Sequence, residues 1–213
     1  MRAVEVVASD GVTLRGEVWG AGDDWLVLLH DAGADLDAWR PLAGLARERG
    51  LSMLPLDLRG HGGSEGTWDE RAAELDVEAA AAFARADGAR TLCVAAAGVS
   101  ALASLRATPR VGPDALALFS PGPIGQARTG DLRAPGVAEL VLVGALDPGA
   151  DADATAICAA SIGPALAVSL PTKQQGTDLL AEPQAVDQLV YFLDEQRWAA
   201  GSALSGRRSA GPA

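Results

Sequence analysis

The chain has 213 residues, enough to build one well-buried core and short for two full domains. Hydrophobic residues make up 49% and charged residues 21%, the balance of a globular protein, and Lys+Arg 17 against Asp+Glu 28 leaves a net charge of −11. That acidity excludes a broad nucleic-acid or anionic-membrane footprint, because such partners require clustered cations. Two cysteines, Cys93 and Cys158, cannot make a disulfide framework, and two histidines, His30 and His61, leave little room for a histidine-rich metal site. Glu5 and Asp10 interrupt the segment where a secretory leader needs an uncharged apolar run. The stretch 91–105 is shorter than a membrane span of ~20 residues and is diluted by Gly98, Ser100 and Ser104. A soluble, cytoplasmic protein is expected.

Short apolar runs alternate with longer amphipathic ones, the pattern of a mostly parallel sheet covered by helices. Residues 3–8 and 12–18 flank Asp10-Gly11, a hairpin turn signal, so the chain opens with two paired strands. Residues 25–30 read as a compact buried strand. A helix follows over 37–49, with Trp39, Leu42, Leu45 and Ala46 at helical spacing and Gly50 suited to its C-cap. The next strand, 51–57, leads into a glycine-rich loop at 59–66. Periodicity then predicts a helix over 68–86 closed by Gly88, a strand over 90–96 and a helix over 98–105. Strands are predicted at 115–119, 138–143 and 165–170, with helices at 152–162 and 183–198. The span 120–136 is rich in glycine and proline and reads as a loop with at most one short helix. The segment 199–213 has Gly/Ser/Arg/Pro-rich composition and no periodicity. It is expected to be a disordered tail behind a single domain over 1–198.

The segments WLVLLHDAGADLDAW, DLRGHGGSEG, TLCVAAAGVSALASL, LVLVGALDP and ALAVSLPTKQQGTDLL together resemble the α/β-hydrolase family over 1–198. DLRGHGGSEG is the most specific of them, and the others fall in the family's order at the family's spacings. The resemblance implies an α/β fold: a mainly parallel eight-stranded sheet with helices on both faces and no cap domain, as in lidless esterase- and lipase-like members. It also implies a serine nucleophile on a sharp strand-to-helix turn, an acid after the seventh strand and a histidine after the last, in that chain order. The serine position falls on Ala97, whose methyl has no lone pair with which to form an acyl-enzyme. The acid position is Asp147, a residue that a turn before Pro148 explains equally well. The histidine position is Gln175, and no histidine follows His61. The implied oxyanion-hole donors are the backbone N–H groups of Ala32 and Gly98. Asp31 replaces the family's usual glycine beside them and brings a carboxylate close to the oxygen site.

Ser100 imitates the motif but falls inside the first turn of the following helix, where small residues serve close packing. His30 and His61 occupy positions that in the family orient loops. Cys93 and Cys158 read as small core hydrophobes, and Lys173, the one lysine, as a solvated loop side chain. No phosphate-binding glycine loop follows any strand, so neither a nucleotide cofactor nor a metal is expected. Loss of either the serine or the histidine of such a triad costs on the order of 10⁶ in kcat. The expected function is therefore that of a catalytically silent hydrolase-fold protein that binds a small carbonyl-containing molecule in the former active-site cleft. Two alternatives stand beside it: an unconventional esterase using Asp147, with Lys173 drawn in, and a structural or regulatory subunit whose partner binds across the uncapped cleft or the sheet edge, Trp39 and Trp198 reading more readily as core or end-cap packing than as its contacts.

Overall fold

A computed structural model describes residues 1–122, 124 and 136–208, with side chains through 196. The central strands are apolar almost from end to end: β3 (Asp24–Leu29), β4 (Leu51–Leu56), β5 (Thr91–Ala97), β6 (Ala115–Phe119) and β7 (Ala138–Gly144). Such runs suit parallel strands covered on both faces. With the hairpin β1 (Arg2–Val7) and β2 (Thr13–Gly20), and with β8 (Ala165–Leu170), they form one sheet in the order β1-β2-β4-β3-β5-β6-β7-β8. β2 pairs antiparallel with β1 and β4, and every other pairing is parallel.

Alternate residues of each strand feed two separate cores. On one face Val27, Leu54, Val94 and Val141 meet α2 (Ala73–Ala86), α3 (Val99–Val111) and α4 (Ala150–Ala160) through Val77, Leu105 and Ile157. On the other, Leu28, Met53, Ala95 and Leu140 meet Trp39 together with Leu189 and Phe192 of α5 (Pro183–Arg208). The expected eight-stranded α/β architecture is present, and there is no cap domain among the described residues. Among the described residues no helix is long and apolar enough to cross a membrane.

Several element bounds differ from the sequence reading for identifiable reasons. The helix expected over 37–49 divides into a 3-10 helix, Leu36–Leu42, and α1 (Ala43–Arg49). Pro41 has no N–H to continue an α-helical ladder, and the Asp35 carboxylate caps the first piece by accepting from Asp37 N–H at 3.0 Å. α2 begins at Ala73 rather than 68, because Asp69 closes a turn onto Arg71 N–H at 2.9 Å and Trp68 packs its ring 5.2 Å from that of His61. α3 runs on to Val111, where Gly112 in the left-handed region (φ 55°) ends it. α5 continues to Arg208, through much of the segment expected to lack regular structure. Most of the 120–136 loop, and residues 209–213, lie outside the described residues.

Candidate functional site

All the segments singled out by the sequence run through the C-terminal ends of parallel strands, where open α/β sheets place their ligands. β5 ends at Ala97, which is fully buried in the core beneath the sheet's rim. The sharp turn into α3 pivots one residue later than the sequence reading places it. Gly98 has φ 55° and ψ −123°, backbone that side chains with a Cβ rarely adopt. A Cβ at position 98 would coincide with the carboxylate of Asp31.

That carboxylate organises the site. Asp31 Oδ1 accepts from its neighbour Ala32 N–H at 2.7 Å and from Val99 N–H at 3.0 Å. Val99 is the first residue of α3, so the oxygen also sits where a helix N-terminus favours negative charge. Gly98 N–H, the second donor expected from the sequence, is instead spent on Phe119 O at 3.0 Å, extending the β5–β6 pairing. The pair of N–H groups aimed at one oxygen is therefore Ala32 and Val99, and the oxygen in place is the chain's own.

The loops bearing these groups are held by buried polar contacts. His30 Nε2 accepts from Leu58 N–H at 3.0 Å, which leaves Nδ1–H to donate to Asp31 O at 2.8 Å. Burial pushes the His30 pKa down, consistent with this neutral tautomer. His61 Nε2 accepts from Gly33 N–H at 3.1 Å and its Nδ1–H faces Arg59 O at 3.0 Å. Both rings thus orient loops. Asp57 accepts from Leu36 N–H (2.8 Å) and Gly63 N–H (2.7 Å), and Arg59 donates to the fully buried Asp76 at 2.7 Å and to Asp10 at 2.7 Å. Ser100 is spent as well: its hydroxyl, fully buried, bridges Ala97 N–H (3.1 Å) and the carbonyls of Leu29 (2.9 Å) and Ala97 (2.8 Å).

A cavity of about 390 Å³ opens above Asp31; of the residues the sequence places at the site, Ala32, Asp147 and Gln175 line it beside Asp31, while Ala97 and Gly98 are not among its lining residues. Asp147 and Gln175 are not bonded to each other, and neither has a side-chain hydrogen-bond partner among the described residues. Asp147 N–H and carbonyl instead close the backbone turn from Gly144 to Ala150. Ser120 and Asp153 also line the cavity, and the sequence reading missed both. Asp153 arrives from α4. Ser120 holds φ 43°, and its Oγ is buried without a partner. The glycine- and proline-rich stretch that follows was the available signal for a strained turn there. Gly176, in the left-handed region at φ 52°, approaches both Ala97 and Asp31; a Cβ there would lie 3.8 Å from each. The described cavity wall carries three carboxylates and no cationic side chain, and Lys173 stands outside it, exposed. Among the described residues no group of acidic, histidine or cysteine side chains is arranged to hold a metal.

No protein-family model and no curated protein matches the chain. Solved structures do. The esterase Pf2001 of Pyrococcus furiosus superposes with TM-score 0.76 at 15% identity, over 92% of this chain and 90% of that one. XC6422 of Xanthomonas campestris, an α/β serine hydrolase without a lid, gives 0.72 at 23% identity, over 92% and 94%. The esterase EaEST of Exiguobacterium antarcticum gives 0.74 at 13% identity, over 91% and 100%. At these identities the likeness concerns architecture, and it is extensive: the chain has the α/β-hydrolase fold in the form seen in esterases.

Proposed function

We propose that this chain is a non-hydrolytic protein of the hydrolase fold that binds a small molecule in the cleft above β5. The observation that carries the reading is Asp31. Its carboxylate fills the space that a nucleophile's Cβ on Gly98 would need and occupies both N–H groups able to polarise a substrate carbonyl. With Gly98 at the pivot of the turn and Gln175 and Gly176 on the loop after β8, the described residues place no hydroxyl at the turn after β5 and no imidazole on the cleft wall to activate the Ser120 hydroxyl.

The carbonyl ligand expected from the sequence finds the Ala32 and Val99 N–H groups already taken by Asp31, and only the Gln175 amide and the Ser120 hydroxyl are left on the described wall to donate to it. A ligand that donates hydrogen bonds finds three carboxylates, at Asp31, Asp147 and Asp153, and each hydrogen bond to a charged group contributes about 1.5–3 kcal/mol. A small amine or similarly cationic polar molecule fits this lining. Cys93 and Cys158 are free thiols, which fits a reducing compartment such as the cytoplasm.

A serine-directed phosphonate leaves this protein unlabelled, and activated esters turn over at the buffer rate with or without Asp147→Asn. In a thermal-shift panel, small amines raise the melting temperature while neutral esters of the same size do not. Covalent labelling, or ester turnover that disappears in Asp147→Asn, would replace the binding reading with a catalytic one.

A further inference from the structure

Ser120 carries two local costs at once. Its φ of 43° is a conformation that glycine holds without strain, and its Oγ is buried without a hydrogen-bond partner. Its main chain is committed, the N–H bonding to Leu142 O at 2.8 Å, so the turn does not depend on the hydroxyl. A buried hydroxyl in that state gains more from an acceptor than an exposed donor, which water already satisfies. Gln175, the other side-chain donor on the described cleft wall, is exposed.

The sheet's register places this hydroxyl opposite a free carboxylate oxygen. Leu29, Ala96 and Leu118 stand in one row across β3, β5 and β6, so Asp31 and Ser120 each lie two residues beyond it. Both line the cavity, about 10 Å apart at the spacing of two strands. Asp31 Oδ1 takes the Ala32 and Val99 N–H groups, and Oδ2 has no donor among the described residues. We propose that the ligand of this cleft is a primary amine joined to a neutral hydrogen-bond acceptor such as a carboxamide. Its ammonium sits on Asp31, and its acceptor on the Ser120 hydroxyl turned about χ1 into the cavity. This rests on the cationic-ligand reading above and narrows it.

Two hydrogen bonds take up about 6 Å of that span, leaving about 4 Å between the ammonium nitrogen and the acceptor oxygen. A linker of two or three carbons covers it. Asp147 and Asp153 add attraction for the ammonium and repel an anionic acceptor, so a carboxylate in place of the carboxamide is refused. A quaternary ammonium has no N–H to give a carboxylate. Among the described residues no aromatic ring lines the cavity to hold such a cation by its face.

Calorimetric titration of the full chain tests this with β-alaninamide and three analogues. Isopentylamine has the same shape without the acceptor, β-alanine carries a carboxylate, and the N-trimethylated amide lacks the ammonium N–H groups. Expected is binding of β-alaninamide about tenfold tighter than isopentylamine, with β-alanine and the trimethylated amide weaker than either. Ser120→Gly binds β-alaninamide and isopentylamine alike, and without ligand it melts no lower than the wild type, since strain and an unpartnered hydroxyl are both removed. Equal binding of the two amines by the wild type overturns this inference and leaves the amine reading standing, whereas binding of neither removes both. β-Alanine or the trimethylated amide binding as tightly as β-alaninamide also overturns it. So does a Ser120→Gly chain that still prefers the amide, or that melts below the wild type as loss of a merely structural serine would cause.

Discussion

At Gly98 two independent constraints exclude a side chain: the positive φ, and the Asp31 carboxylate standing where a Cβ would go. The two are separable by mutation. Gly98→Ser alone meets both and is expected to destabilise the fold by about 2–4 kcal/mol. Asp31→Gly with Gly98→Ser relieves the collision and leaves the backbone strain, about 1–3 kcal/mol. The double variant therefore melts higher than Gly98→Ser, and the cycle shows a coupling of about 1 kcal/mol or more, as expected for residues in contact. Additive effects in urea melts would mean that Asp31 does not occupy that space. The double variant is still expected to lack esterase turnover, since no imidazole reaches the cleft. The sequence reading put the turn at Ala97 because the run Ala95-Ala96-Ala97 carries no register of its own. The residue able to hold φ 55° was the glycine beside it. Asp31 was legible as a carboxylate near the oxygen site, but its seat on Ala32 and Val99 depends on a contact between residues 68 apart in sequence, which no local pattern encodes.

At the scale of elements, strands were read best where punctuation is strong. Residues 115–119 are bounded by Gly112-Pro113 and Pro121-Gly122, and 165–170 by Gly163-Pro164 and Pro171; both match the observed strands. Helix starts were read poorly where an aspartate closes a turn ahead of the helix, as Asp69 does onto Arg71 N–H, and Ser120 and Asp153 enter the cleft only because β6 and β7 are neighbours. One residue breaks its element's pattern outright. Glu139, 1% exposed on β7, accepts from Ser161 Oγ at 2.7 Å through Oε1, and its Oε2 has no partner. Burial pushes its pKa up to about 7 from 4.5, against the smaller pull of the Ser161 bond. Between those values the folded chain holds a proton that the unfolded chain releases. Stability from this group is therefore fully present below pH 4.5 and is lost as pH rises through 7. Glu139→Gln is expected to stabilise the protein at pH 8 by roughly 1–2 kcal/mol, or a few degrees in Tm, and to make little difference at pH 5. A variant that melts below the wild type at pH 8 would mean that the ionised carboxylate is better solvated than its burial indicates.

For the whole molecule the open matter is where the cooperative unit ends. α5 runs to Arg208, and among its described side chains, which end at 196, those in the core are Ala185, Leu189, Phe192 and Leu193. The described residues of both cores all precede Trp198, and truncation tests the single domain expected over 1–198. A chain stopped after Trp198 keeps every one of these contacts and is expected to unfold in one transition, with its midpoint within about 2 °C of the full chain. A chain stopped after Tyr191 removes Phe192 and Leu193, 9% and 7% exposed, and leaves the β5–β7 face uncovered. Losing side chains of that size from a core costs about 3–5 kcal/mol each, comparable with the whole stability of many domains, so this shorter chain fails to fold. Calorimetry of the two truncations decides the point: a lower or split transition in the longer one would place residues 199–208 inside the folded unit.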